Sequence, residues 1–373
     1  MTNNKYVVIS DAHLGQDGKD GTGFKSILSD PQHPKFISFK EKILKFAGPD
    51  NITLIGVGDI LDLSVSYMRD AILQLCGLVE EIEPINKIEL IIGNHDHHLF
   101  TLCCEHQIVL DKMMWGYLPN PGSIYNTIHN VRSRALSMCL TSFTKRDIDV
   151  SLSYPILNKQ IGAKLYTFTH GHLFGDLYTM ISNILTPELK GLDYSTAIAT
   201  TNISVIEFIY WLLGETGCGM GADGIVEAVY TEAAKGKTSL INELITRAVD
   251  TLFPKGVVSW IPDRIEKWLI KKAAVLIASS LIKEPSAALL SSKDRYSDLT
   301  GTHNKENKWI ELTKDITTNI FITGHTHKWD VWEENNKQHI NLGSWLIEPN
   351  HPDPIGVILL IDEKETKPTL FCI

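Results

Sequence analysis

The chain has 373 residues, of which 43% are hydrophobic and 21% are charged, and its formal net charge is −9. This composition is typical of globular proteins and excludes wholesale disorder, collagen-like chains and disulfide scaffolds. The acidic balance also disfavours a general nucleic-acid binder, which usually carries an excess of Lys and Arg. Because the 6 cysteines form no C-x-x-C pair, and no leader-like or membrane-spanning apolar segment appears, we expect a reduced, cytoplasmic protein.

Short apolar runs that are rich in β-branched residues recur along the chain and predict buried strands. These runs cover residues 6–9, 52–57, 88–92, 165–168, 320–323, 340–342 and 355–361. The spacing of apolar residues predicts helices at 36–46 and 65–79. This alternation of strands and helices predicts a layered α/β fold.

Clusters of His, Asp and Asn follow the predicted strands at the points where these strands end. The clusters are Asp11-Ala12-His13, Gly58-Asp59-Ile60-Leu61-Asp62, Gly93-Asn94-His95-Asp96, His170-Gly171-His172 and Gly324-His325-Thr326-His327. In open α/β sheets, the ligand crevice lies at the carboxyl ends of the strands. Imidazole nitrogens with carboxylate and amide oxygens suit Zn, Mn, Fe and similar divalent ions. The sequence therefore predicts a metal site at this edge.

In order along the chain, the clusters read D-x-H, G-D-x-x-D, G-N-H-[D/E], a lone His and G-H-x-H. Together they resemble the calcineurin-like metallophosphoesterases, and the segment 341–345 is similar to the family's N-x-G-S segment. The resemblance covers residues 1–175 and 310–373, and implies a four-layer α/β/β/α sandwich. It implies a large, mainly helical insertion at 176–309 and a shorter insertion at about 99–164.

The resemblance also implies two divalent metal ions, with manganese as the first choice and iron or zinc as alternatives. The implied ligands are Asp11, His13 and His327 for one ion, Asn94, His170 and His325 for the other, and Asp59 as a bridge between them. The implied reaction is the cleavage of a phosphoester or pyrophosphate bond through in-line attack by a metal-bridging hydroxide.

His95 follows a predicted ligand but does not itself occupy a ligand position, so the resemblance implies that it is the general acid or a phosphate contact. Asp62 would orient His95 and raise the pKa of its imidazole, as a proton donor requires. The alternative for Asp62 is a helix N-cap, and we expect Asp96 to be a turn or cap residue. Three other histidines either line the pocket or are exposed in loops: His97, His98 and His172.

Two features of the motifs bear on the substrate. Leu63 stands where protein phosphatases carry Arg, which disfavours phosphoproteins as substrates. The block 58–63 resembles the branch that contains UDP-diacylglucosamine pyrophosphatases, although His95 stands where that branch has Arg. We expect a small-molecule or lipid-linked phosphate substrate in preference to nucleic acid. The alternatives are a nuclease that uses a local basic groove and a non-catalytic scaffold on the same fold.

The 176–309 insertion lies between two metal motifs and is therefore expected to form a helical lid at the rim of the site. The alternative is an interface between copies of the chain. Within it, residues 260–282 predict a basic amphipathic helix, which is either an ordinary packed helix or a contact for a membrane surface. Residues 219–224 match G-x-G-x-x-G, which by itself is a weak signal for phosphate binding.

Overall fold

The computed structural model describes residues 4–17, 24–64, 66–104, 106, 128–174, 203, 206–212, 318–334, 337–348, 354–365 and 367–373. Within these ranges the chain forms two mixed β-sheets that pack face to face, with helices on the outer face of the first sheet. No helix in these ranges is long and apolar enough to cross a bilayer.

The first sheet contains seven strands. Their order is β14 (Thr369–Cys372), β13 (Val357–Asp362), β1 (Lys5–Ile9), β3 (Ile52–Val57), β4 (Ile85–Ile91), β6 (Asp149–Tyr154) and β5 (Ile128–Arg132). The neighbours β1, β3, β4 and β6 are parallel, whereas β13, β14 and β5 pair antiparallel. The parallel pairing brings the carboxyl ends of β1, β3 and β4 to one edge of the sheet.

The second sheet contains five strands. Their order is β10 (Trp329–Glu334), β11 (Lys337–Leu342), β9 (Ile320–Thr323), β8 (Lys164–Thr169) and β7 (Ile156–Ile161). The central strands β8, β9 and β11 are parallel, so that the segments after β8 and β9 emerge side by side. A separate two-stranded ribbon joins β2 (Lys25–Ser26) to β12 (Leu346–Ile347).

Alternation of side chains along the strands builds two apolar layers. In β1, Val7 and Ile9 belong to the core under the helices, whereas Tyr6 and Val8 belong to the core between the two sheets. The covering helices are α1 (Pro34–Ala47), α2 (Met68–Glu81) and α3 (Arg134–Thr144). The described residues thus form three of the four predicted layers.

The ends of α1 follow from its local sequence. His33 caps the helix by accepting a hydrogen bond from the Lys35 backbone N–H at 3.2 Å, and Pro34 occupies the first turn, where no intrahelical N–H bond is required. The helix ends at Gly48, whose φ of 59° is readily adopted by glycine.

All seven predicted strands are present, with ends shifted by a few residues, and the two predicted helices correspond to α1 and α2. The assignment of 99–164 to an insertion is wrong for residues 128–164, which form β5, α3, β6 and β7 within the core. The signal in β6 is weak because Ser151 and Ser153 alternate with its apolar residues. The predicted helix at 260–282 and the glycine motif at 219–224 lie outside the described residues.

Candidate metal centre

The clusters that follow the strands share an unusual backbone conformation. Five predicted ligands have φ between 47° and 70°: Asp11, His13, Asp59, His325 and His327. Residues other than glycine adopt this left-handed region rarely, and such strain is concentrated at functional sites. Backbone hydrogen bonds hold the turns together, with Asp11 N–H donating to Gly58 O at 3.1 Å and His13 N–H donating to Asp59 O at 2.9 Å.

Two motif glycines are required by close approach to the predicted ligands. A Cβ atom on Gly93 would lie 2.2 Å from Asp59 Oδ1, and one on Gly324 would lie 2.2 Å from Asp11 Oδ2. Both distances are far below van der Waals contact. Glycine therefore allows the neighbouring backbone to pack directly against the two carboxylates.

The structure brings the predicted ligands together in two adjacent groups. Within each group the ligand atoms lie within 4.8 Å of one another: Asp11, His13 and His327 in the first, and Asp59, His170 and His325 in the second. The seventh predicted ligand, Asn94, is 2% exposed, and its Oδ1 has no hydrogen-bond partner among the described residues. A buried amide oxygen without a donor is costly, and a cation would compensate that cost.

In the first group, the two histidines direct their Nε2 atoms toward each other. These atoms are 3.1 Å apart, and His327 Nε2 lies 3.4 Å from Asp11 Oδ1. Each ring is held from the opposite side by a carboxylate: His13 Nδ1 contacts Asp62 Oδ2 at 2.9 Å, and His327 Nδ1 contacts Glu348 Oε1 at 2.5 Å. Carboxylate–histidine pairs of this kind fix the tautomer that presents a free Nε2 to a metal ion.

In the second group, His170 is oriented in the same way. Its Nδ1 lies 3.1 Å from Val57 O, so that its Nε2 faces Asp59 Oδ2 at 2.9 Å. The other oxygen of Asp59 accepts the His95 backbone N–H at 2.9 Å. The two groups are coupled through Asp11, whose carboxylate accepts the His325 backbone N–H at 3.1 Å.

The charges of the site are strongly interdependent. Burial raises the pKa of Asp59, but His170, His95 and His13 hold it well below its usual range. Burial lowers the pKa of His327, yet the carboxylates of Asp11 and Glu348 raise it to about 10. These carboxylates therefore favour positive charge at the centre, which a divalent cation would supply in place of protons.

Asp62 and His95 lie beside the first group. His95 is 6% exposed, and its Nδ1 lies 3.2 Å from Asp62 Oδ2. Ser64 joins the pair, because its hydroxyl contacts His95 Nδ1 at 2.8 Å and Asp62 Oδ1 at 2.6 Å. The N-cap alternative for Asp62 is wrong, since α2 begins only at Met68 and the Asp62 carboxylate faces the two histidines.

The remaining motif residues are also buried. Asp96 accepts hydrogen bonds from Gly93 N–H at 2.6 Å and Ile60 N–H at 2.9 Å, as expected of a turn residue. His97 is 1% exposed and His172 is 2% exposed, so the interpretation of these two as exposed loop residues is wrong.

The segment 341–345 makes hydrogen bonds that support the loops carrying the predicted ligands. Asn341 Nδ2 donates to Gly324 O at 2.9 Å and to Thr326 Oγ1 at 3.1 Å, which holds the loop carrying His325 and His327. The Trp345 backbone N–H donates to Asp11 O at 3.0 Å.

Several site residues have no signal in the sequence motifs. Ser64 and Glu348 contact His95 and His327, and Glu207 comes from the 176–309 segment to contact His97 Nδ1 at 2.9 Å. Acidic and hydroxyl residues are common on protein surfaces, so only the fold distinguishes these from others. For Glu348 alone, its position shortly after the N-x-G-S-like segment indicates in the sequence that it lies near the site.

No protein-family model matches the chain, and no curated protein matches it. Among solved structures, a predicted phosphoesterase from Streptococcus pneumoniae is 10% identical, with a TM-score of 0.28 and coverage of 100% of this chain and 99% of the other. A dimetal phosphatase from Danio rerio is 11% identical, with a TM-score of 0.34 and coverage of 99% and 98%. Vacuolar protein sorting 29 from Cryptosporidium parvum is 10% identical, with a TM-score of 0.31 and coverage of 100% and 98%.

Two of these three proteins are named as a phosphoesterase or a phosphatase. At such identities and TM-scores, no residue role passes from those proteins to this chain. The chemistry of the site is therefore inferred from its own side chains.

Proposed function

We propose that the protein is a metal-dependent phosphohydrolase that cleaves a phosphoester or pyrophosphate bond with the help of two divalent ions. The observation that carries this proposal is the pair of adjacent groups around Asp11 and Asp59, each with histidine and carboxylate ligand atoms within 4.8 Å of one another. Two such groups side by side are the arrangement required for a two-metal hydrolase.

The donor atoms fit divalent ions. Asp11, His13 and His327 would hold one ion, His170, His325 and Asn94 would hold the other, and Asp59 would lie between them. This set contains only nitrogen and oxygen donors, which manganese, iron and zinc all accept, and manganese is the ion that we propose first. Bound ions would lower the pKa of an attacking water molecule and offset the charge of the phosphoryl oxygens.

The proton chemistry follows from His95 and the residues behind it. Because its Nδ1 faces Asp62 and Ser64, we assign the contact with the substrate to the opposite ring nitrogen. Asp62 stabilises the protonated imidazole, and His95 can then donate a proton to the leaving oxygen as the bond to phosphorus breaks. Ser64 limits rotation of both side chains.

The substrate is proposed to be a small-molecule or lipid-linked phosphate compound, and the cytoplasm is the proposed location. The acidic charge of −9 supports this choice over nucleic acid, because no overall basic excess attracts a polyanion. Activity on oligonucleotides above that on small esters would favour the nuclease alternative instead.

The test compares His95→Gln with the wild-type enzyme in a panel of chromogenic mono- and diesters supplied with manganese. We expect kcat to fall by about 10²- to 10⁴-fold while metal content stays the same, because His95 acts on the proton and not on the ions. The matched control is His129→Gln, which replaces an exposed histidine on β5. Equal rates for His95→Gln and the wild type would disprove the catalytic role.

A further inference from the structure

A short piece of the 176–309 segment packs directly against the candidate site. Residues Glu207–Leu212 form a π-helical turn, and Ile206 before it is fully buried in the apolar core under the helices. Tyr210 and Trp211 pack against the same core as partly buried side chains. This part of the predicted insertion therefore has a defined position beside the metal motifs.

Glu207 attaches this turn to the loop that follows Asn94. One carboxylate oxygen contacts His97 Nδ1 at 2.9 Å, and the other contacts His98 Nδ1. Burial raises the pKa of Glu207, but its bonds to the two histidines outweigh this effect and lower it to about 2. Trp211 adds a second attachment, because its ring stacks on His98 with centroids 3.6 Å apart and an interplanar angle of 2°.

These attachments place Tyr210 beside the proposed general acid. The centroids of the Tyr210 and His95 rings are 4.9 Å apart, with an angle of 59° between the planes. Tyr210 is partly buried, so part of its side chain remains exposed. A group that receives a proton from His95 must lie within hydrogen-bond distance of that ring, and hence close to Tyr210.

We propose that Tyr210 is a specificity-determining residue that favours phosphoesters with a flat aromatic leaving group. This inference rests on the proposed function, because it takes His95 as the proton donor to the leaving oxygen. An aromatic ring offers a planar apolar face, and stacking between aromatic groups adds to the free energy gained from burial alone. A saturated leaving group of equal size gains the burial but not the stacking.

The test uses two esters whose alcohols have similar acidity and size, benzyl phosphate and cyclohexylmethyl phosphate. We expect the wild-type enzyme to prefer benzyl phosphate by about five-fold in kcat/KM, mainly through KM. Tyr210→Leu abolishes this preference, whereas Tyr210→Phe retains it because the ring is kept. Phe143→Leu, which alters a partly exposed aromatic residue on α3, is the control and retains the preference.

Absence of the preference in the wild type, or its persistence in Tyr210→Leu, would overturn the proposal. Binding of benzylphosphonate and cyclohexylmethylphosphonate to the metal-loaded protein separates this outcome from failure of the proposed function. If neither ester is hydrolysed but Tyr210→Leu selectively weakens benzylphosphonate binding, Tyr210 is a contact for an aromatic group, and both the hydrolase assignment and the leaving-group role fail. If both esters are hydrolysed without discrimination, the hydrolase assignment stands and the role of Tyr210 fails.

Discussion

In each histidine of the first ligand group, the two ring nitrogens have different roles. The Nε2 atoms of His13 and His327 meet at the centre, while their Nδ1 atoms contact Asp62 and Glu348. A histidine held in this way loses less conformational freedom when it binds a cation, and its carboxylate partner makes the imidazole a stronger donor. The supporting carboxylates should therefore influence metal affinity without touching the ion.

We predict that Glu348→Ala lowers the affinity for manganese by about ten-fold, because His327 loses the group that orients its ring. Glu348→Gln should recover part of this loss, since an amide oxygen can still accept a hydrogen bond from Nδ1. Titration against a chelator measures the affinity. Glu365→Ala, an exposed change elsewhere, is the control, and an unchanged affinity in Glu348→Ala would contradict the prediction.

Another histidine, His339 on β11, is relevant to stability and not to the site. Its ring lies between Phe321 and Trp332, with centroids 5.1 Å and 5.0 Å away and an interplanar angle of 9° in each case. Burial, aided by the nearby Lys337, lowers the pKa of His339 to about 4. The unfolded chain therefore takes up a proton here between about pH 6.5 and pH 4, while the folded chain does not.

The sign of this shift means that His339 costs stability as the pH falls through that range. Through His339, the unfolding free energy of the wild-type protein should fall by about 3 kcal/mol between pH 7.5 and pH 4. We predict that His339→Phe does not show this part of the decrease. Urea unfolding at several pH values measures the difference between variant and wild type. The exposed-residue control, His129→Phe, should keep the wild-type pH dependence, and the same slope in His339→Phe would refute the account.

At the scale of the strands, an ion pair between β4 and β7 connects the two sheets. Glu89 on β4 is buried, and its carboxylate oxygens each lie 2.8 Å from Lys159 Nζ on β7. Lys87 Nζ is also 2.8 Å from Glu89. Burial raises the pKa of Glu89, but the two lysines outweigh burial and lower it. This ion pair joins the sheets at their inner faces.

We predict that Glu89→Ala destabilises the fold by about 2 to 3 kcal/mol, because it leaves Lys159 partly buried without a counter-ion. The comparison is Glu81→Ala, which breaks the more exposed Lys40–Glu81 pair of 2.6 Å and should cost about 0.5 kcal/mol. Denaturant unfolding measures both. Equal costs for the two variants would show that the contact between the sheets contributes no more than an ordinary surface pair.

The strands that carry the motifs could be predicted because they are continuous apolar runs followed by glycine, Asp or His. β6 and β7 could not, since residues such as Ser151 and Lys159 interrupt the apolar pattern, although β6 is buried from its second residue onward and β7 is buried at two of its six positions. The same limit applies to the site. Asp59 and His170 follow strands in recognisable motifs, whereas Glu348 acts through a contact that only tertiary packing creates.

In the molecule as a whole, the candidate centre lies where the two sheets meet. Asp11, Asp59 and Asn94 follow strands of the first sheet, while His170 and His325 follow strands of the second. Each ligand group therefore draws residues from both sheets. Because a cation bound here would contact both sheets, metal binding is expected to raise the free energy of unfolding of the whole core.

Asp59 is the proposed link between the two ions, so its replacement tests the central claim most directly. The measurement is the metal content of the purified protein supplied with manganese, together with hydrolysis of bis-p-nitrophenyl phosphate and p-nitrophenyl phosphate. We predict two ions per wild-type chain and turnover of at least one ester, loss of both properties in Asp59→Asn, and retention of both in the exposed control Asp147→Asn. A wild-type protein that binds no divalent metal, or Asp59→Asn with two ions and unchanged turnover, would contradict the account.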